Sequence, residues 1–343
     1  MNNRLTKISA ALACFAAACP VAQAQELEEV MVTAQKRAES LQDTALSVIA
    51  LTSHDLDVRQ IKSLRDLVVG TPSLQAYDFP TSTNNVSMFM RGLGNTDSQT
   101  LTLDNPIGIY IDGVYIARTS GSTVDILDLE RIEVLRGPQG SLYGRNSSSG
   151  AINFVTAKPA EEFGGKISFG GGNYGARNVS ATLDLPLSDT FRTKFSVLRT
   201  NFDGWVDNQG PNDTEGAPTN NYYLKEQEAV RFAAQWTPND NVTIDYSFDA
   251  SDIDSTPMYF QTEVGQRVEN SANANVPLPG FAFSVPLSTN ENLGHALTLT
   301  WDVSDHMTFK SVSGYREMDE DVTQSWPDSL FFGTNLIWGT EQY

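Results

Sequence analysis

The chain holds 343 residues with a formal net charge of −19 and two cysteines, a length that allows two domains or one large β domain. Phosphate binding needs a basic face, so this balance argues against nucleic acid as a partner. Both cysteines, Cys14 and Cys19, lie close to the N-terminus, which leaves the remainder without disulfide or thiol chemistry.

Arg4 and Lys7, the apolar run Ile8 to Ala18 and the small-x-small tripeptide Ala22-Gln23-Ala24 read as a secretory signal peptide over residues 1–24, cut near Ala24. The apolar run is too short to span a bilayer. No later run reads as a transmembrane helix, so a membrane role would have to come from strands. The next stretch is ELEEVMVTAQKR, Glu26 to Arg37. Val30 and Val32 alternate with Met31 and Thr33 like a short strand, acids precede them, bases follow, and nothing nearby offers a hairpin partner. The polar run Gln35 to Asp43 reads as a tether.

From about Leu41 to Pro159 the pattern is mixed. Ser53 and Ser63 read as N-caps of short helices, the second with Leu64, Leu67 and Val68 on one face and a stop near Gly70. Strands follow at VSMFMRG, at IGIYIDGVYI with Asp112-Gly113 as a tight hairpin turn, at RIEVLRG and at GAINFVT. This is a small α+β domain.

After residue 160 the strands lengthen and alternate. In NVTIDYSFD, Val242, Ile244, Tyr246 and Phe248 face one way and Thr243, Asp245, Ser247 and Asp249 the other. The same alternation recurs at Val179 to Leu187, Phe191 to Val197, Val230 to Trp236, Leu297 to Val303 and Met307 to Tyr315, giving seven or eight strands. Short turns at Ser188-Asp189-Thr190, Pro238 to Asn241 and Ser304-Asp305 alternate with long polar connections at Asp203 to Leu224, Asp254 to Asn292 and Asp321 to Thr334. Outer-membrane barrels are built this way, with tight periplasmic turns and long outer loops. A soluble, secreted β-rich binding module is the alternative, since a sandwich also alternates a wet and a dry face.

Acids outnumber bases by more than two to one beyond residue 160, a balance that suits solvated outer loops. The run GGGNYG, Gly170 to Gly175, satisfies G-x-G-x-x-G but joins two strands, so it reads as a turn. His54, His295 and His306 are scattered, Asp252 and Asp254 read as solvated loop acids, and no Walker motif or nucleophile elbow is present. The reading is therefore no enzyme, no metal site and no cofactor.

Between Arg91 and Pro159 the residues become specific. MRGLG, IGIYIDGVYI and LDLERIEVLRGPQGSLYGRNSSSGAINFVTAKP resemble the plug domain of TonB-dependent outer-membrane receptors. The resemblance implies an α+β plug over 41–159, followed over 160–343 by antiparallel transmembrane β-barrel strands. A plugged transporter barrel has about 22 strands, so the chain is expected to hold an incomplete barrel. Residues 25–40 are identified as a TonB box and its tether, the box being Glu28, Glu29, Val30, Met31, Val32, Thr33 and Ala34. An extended peptide with free backbone edges can add as a strand to the sheet of the TonB protein in the periplasm.

The resemblance further implies that Arg91 and Arg136, in the RG and RGP motifs, pair with barrel glutamates. Arg145, Glu130 and Glu133 are candidates for the same polar network. Plug apices fall near Tyr77 to Asn85 and Asn95 to Asn105, with Tyr77 and Phe79 as ligand contacts. The implied partners are TonB, outer-membrane lipid and a small-molecule ligand, a ferric-siderophore chelate first, with carbohydrate, haem or cobalamin open.

Overall fold

The computed structural model describes residues 30–37, 39–79, 82–96, 103–119, 128–207, 220–259, 285, 287–324 and 336–342, with residues 79, 82–84, 323, 324 and 336–342 as backbone alone. The signal-peptide reading and the box residues Glu28 and Glu29 lie outside the described residues.

The first described strands, β1 (Met31–Val32) and β2 (Glu39–Ser40), pair antiparallel. β3 (Val48–Thr52) leads into helix α1 (Ser53–Val58), capped one residue earlier than the sequence suggests. Thr52, not Ser53, is the N-cap, because its Oγ1 accepts from Asp55 N at 3.2 Å while Asp55 Oδ2 accepts from Thr52 N at 3.1 Å. The next helix, Leu64–Gly70, is 3₁₀ and has Ser63 as its N-cap. Three residues per turn stack Leu64 over Leu67, both buried, and rotate Val68 off that face to partial exposure.

β4 (Leu74–Phe79), β5 (Ser82–Met90) and β6 (Leu93–Gly94) form one small sheet. A second sheet adds β7 (Ile107–Ile111), β8 (Val114–Ile116), β9 (Leu129–Arg136) and β10 (Gly150–Thr156), with helix α2 (Gly140–Tyr143) between the last two. Its order is β3-β9-β10-β7-β8. β10 runs parallel to β7 and antiparallel to β9. Every residue of β7 is buried, so that strand reads as a continuous apolar run without alternation.

Ile109, Ile132, Val134, Ile152 and Phe154 pack with Leu51, Leu67, Met88 and Met90 into the core. Gly150 begins β10 where a Cβ would overlap the Leu135 carbonyl oxygen and Met90 Sδ. The backbone cannot yield there. Gly150→Ala should cost about 2–3 kcal/mol by overpacking, measured as faster amide exchange in β9 and β10.

β11 (Gly164–Gly171) to β18 (Leu336–Gln342) form an eight-stranded antiparallel meander in sequence order. The intervening strands are β12 (Arg177–Ser188), β13 (Phe191–Phe202), β14 (Lys225–Asn239), β15 (Val242–Ser255), β16 (Ser288–Ser304) and β17 (Met307–Gln324). One face carries Phe195, Val197, Val230, Trp236, Leu297, Trp301 and Phe309 exposed. The other carries Ser196, Arg231, Ala233 and Ser247, all buried. A contiguous apolar outer face and a polar inner one is the pattern of a barrel wall in lipid.

The expected GGGNYG turn joins β11 to β12, with Tyr174 and Gly175 at φ 56° and 67°. Several strands run past their apolar ends: β16 spans 17 residues and β17 spans 18, where about 9–11 suffice to cross a bilayer. The extensions take in Asp252 and Asp254, which are therefore strand residues of β15 rather than loop acids. Register sets Glu228 opposite Asp252, Asp252 opposite Glu291, and Glu291 opposite Asp319, a row of carboxylates across four strands. Arg199, paired with Glu228 at 3.1 Å, stands at one end of the row.

Candidate functional site

The segment from Val30 onward is not alone. Its mate is its own tether: Met31 faces Ser40, Val32 faces Glu39, and Leu41 N donates to Val30 O at 2.9 Å. A turn brings the two together, with Lys36 N donating to Thr33 O at 2.8 Å and Lys36 in the left-handed region at φ 63°. Val32 and Ala34 are fully buried against Tyr110, Leu135, Tyr143 and Ala151, while Met31 stays 43% exposed. Sequence reasoning missed this pairing because two-residue strands carry too little pattern to register.

Polar contacts fix the same segment. Glu133 is 0% exposed, and its Oε1 accepts from Thr33 N at 2.8 Å, from Thr33 Oγ1 at 3.1 Å and from Arg131 Nε at 2.8 Å. Asn153 Nδ2 donates to its Oε2 at 3.3 Å. The Lys36 ammonium lies 4.0 Å from the Tyr143 ring centroid and 5.0 Å from that of Tyr110. Burial, then the Lys310 ammonium near the start of β17, lower its pKa, and Glu133 pulls the other way. Burial pushes the Tyr110 hydroxyl up to about 12 and raises Tyr143 as well, so both rings stay neutral π faces for the cation. The nearby Lys310 places this segment at the short-turn end of the wall.

The plug meets the wall through the tip of the β7–β8 hairpin. Asp112 and Gly113 take φ values of 50° and 87°, both positive as a two-residue hairpin turn of this hand requires. The Asp112 carboxylate accepts from Thr156 N at 3.0 Å and Thr156 Oγ1 at 2.8 Å, and from Arg231 Nη2 of β14 at 2.8 Å. Arg231 Nη1 reaches Asp249 Oδ1 at 3.4 Å, and Arg316 binds Asp249 through both terminal nitrogens at 2.9 Å. Beside this chain of charges, Gly314 leaves room for Val114, whose side chain fills the place of a Cβ. Lys194 of β13 adds a second tie, 2.7 Å from Asp128.

In these two ties the charges run opposite to the expected sense, with bases on the wall and acids on the plug. The available signal was a lone arginine on the inward, small-residue face of β14 in an acid-rich sheet.

Arg91 and Arg136 come together elsewhere. Arg136 N donates to Ser47 O at 2.9 Å, and Arg91 Nη2 reaches Ser47 Oγ at 3.4 Å. Gly137, at φ 102°, lets the Arg91 guanidinium approach to 2.9 Å of where a Cβ would stand. Neither guanidinium meets a carboxylate among the described residues, and Arg136 Nε is buried without a partner. Ser47 adjoins β3, the sheet edge opposite β8, and β8 is the strand of that sheet that meets β17.

At the long-loop end, Tyr77 is 42% exposed and stacks on Phe89 with centroids 6.0 Å apart. Phe79 is a backbone partner of Ser82; its side chain lies outside the described residues. Burial raises the pKa of the neighbouring Asp78 although Arg65 pairs with it. Tyr223, whose pKa is raised by burial and by Asp78, packs at a tilt against Trp205 with ring centroids 4.6 Å apart. The β4–β5 hairpin thus lies beside the base of the loop before β14.

Residues 40–151 match the family profile "TonB-dependent Receptor Plug Domain". The vitamin B12 transporter BtuB of Vibrio vulnificus is 27% identical over 155 residues, 44% of this chain and 24% of that protein. The ferrioxamine B receptor of Salmonella typhimurium is 31% identical over 154 residues, 44% of this chain and 21% of that protein. Among solved structures, the ferric yersiniabactin uptake receptor FyuA from Yersinia pestis superposes with a TM-score of 0.70 at 17% identity, covering 86% of this chain and 44% of that one. The ferric-catecholate import receptor Fiu from E. coli K12, in its closed form, gives 0.63 at 15% identity over 88% of this chain and 42% of that one. The chain spans about a quarter of the length of these curated relatives and under half of these solved chains. All four are transporters or receptors.

Proposed function

We propose a function from one premise, that residues 40–151 belong to the plug-domain family of TonB-dependent receptors: the chain acts in active import of a scarce ligand across the outer membrane. The observation that carries this reading is the arrangement of two ends. The strand Met31–Val32 is docked under the plug at the short-turn end, and the β4–β5 hairpin stands beside Tyr223 and Trp205 at the base of the connection before β14. Residues 1–24 act as signal peptide, 25–40 as TonB box and tether, 41–159 as plug and 160–343 as barrel wall. Ligand binding beside Tyr77 and Phe79 biases the box toward release, and TonB captures it by strand addition. Arg91 and Arg136 meet barrel carboxylates outside the described residues.

A ferric-siderophore chelate is the first ligand class, supported by the names of the ferrioxamine B and ferric yersiniabactin receptors. Cobalamin is the second, supported by the B12 transporter. The test is uptake of radiolabelled ferric chelates and of cyanocobalamin by cells producing the complete receptor, with and without TonB. Uptake of one class that disappears without TonB supports the reading; uptake that proceeds without TonB overturns it, and uptake of neither class overturns these two ligand assignments.

A further inference from the structure

Beside the buried Val32 and Ala34, the polar and cation–π contacts between the N-terminal segment and the plug fall at two residues, both on the tether side of its strand. Thr33 gives Glu133 two donors, its N–H and its hydroxyl. Three residues on, Lys36 lies against the faces of Tyr143 and Tyr110. The receiving side is rigid: Tyr110 OH donates to Tyr143 O at 2.5 Å, the two rings meet edge to face at 5.0 Å, and Asn146 Nδ2 donates to Tyr115 OH at 2.9 Å. Met31, upstream, is exposed.

We propose that Thr33 and Lys36, gripped by Glu133 and by the Tyr110–Tyr143 pair, form a clasp that sets how readily the segment leaves the plug. This deepens the coupling role proposed above and rests on it for its biological meaning. The physical case is that the two grips fail together. Thr33 and Lys36 are joined by their own turn, from Lys36 N to Thr33 O at 2.8 Å, so lifting one withdraws the other. Once Thr33 departs, Glu133 keeps Arg131 and Asn153 but loses two of its donors while still enclosed by protein, and a buried carboxylate short of donors is costly. Release is therefore a two-state step, and Met31, exposed upstream of the clasp, can be engaged while it is shut.

The experiment is spin labelling of Met31→Cys in the complete receptor, reconstituted in outer-membrane lipid without ligand, reading immobile against mobile fractions. Thr33→Val keeps the shape and removes the hydroxyl donor, and should lower the docked-to-released ratio about tenfold. Lys36→Met keeps the aliphatic stem on the rings and removes the cation, and should lower it by about three- to thirtyfold. Lys36→Arg restores a cation that stacks on aromatic faces and should return the ratio to within about threefold of the parent. A structural role of the stem alone would leave Lys36→Met and Lys36→Arg alike. Equal ratios in the parent, Thr33→Val and Lys36→Met overturn the clasp. Loosened segments with TonB-dependent uptake unaltered would leave the clasp standing and remove the coupling role instead.

Discussion

Arg231→Ala in the complete receptor is expected to loosen the plug without dismantling the wall. Arg231 is 9% exposed and bridges the plug's Asp112 to Asp249 of the neighbouring strand. Truncating one member of a buried ion network costs about 3–5 kcal/mol. The lower end applies here, because Asp249 keeps both terminal nitrogens of Arg316 and Asp112 keeps Thr156. A loss of about 3 kcal/mol corresponds to roughly hundredfold faster amide exchange in β7, β8 and β10 where opening is local. The strand ladders of the wall do not use this side chain, so assembly should persist. Permeability to large antibiotics should rise. Arg177→Ala removes an exposed arginine of β12 and serves as the control; equal exchange rates in the two variants would show that the Asp112–Arg231 tie does not anchor the plug.

The second large effect is expected at Val32. Proline there removes a backbone donor and fixes φ, so the residue can neither pair normally in β1 nor add to a partner's sheet. Uptake by the complete receptor should fall at least about tenfold, while ligand binding at the cell surface stays near the parent level, since Val32 lies at the end of the wall away from the β4–β5 hairpin. Val32 is fully buried, so the variant should also free the segment. Freed yet silent is the telling combination, because greater availability alone would be expected to raise coupling. Unchanged uptake would show that this stretch is not where TonB engages.

These two positions mark what the sequence discloses and what it hides. The Asp112-Gly113 turn was legible because positive φ at two successive residues has a local chemical signature, and the structure shows it. The alternation of Val242 to Asp249 was legible because a half-wet sheet imposes period two. That Asp112 would lie 2.8 Å from Arg231, however, depends on how a hairpin of one sheet seats against the fourth strand of another, which no local signal encodes. The upper ends of β16 and β17 were hidden for a different reason. Residues such as Asn290 and Asp319 stay in the ladder by cross-strand hydrogen bonding, while the apolar signal that marks a strand stops where lipid contact would.

The row of Glu228, Asp252, Glu291 and Asp319 makes the upper wall an electrostatic spring. Like charges directly opposite one another push strands apart, and Arg199 neutralises the row at one end only. The push reaches about 30 Å at 0.01 M salt and about 8 Å at 0.15 M. Opposed residues stand only about 5 Å apart, inside the screening length at either salt, so rising ionic strength weakens the push without removing it. The pairing of these strand ends should therefore tighten modestly with salinity while the apolar band below does not respond.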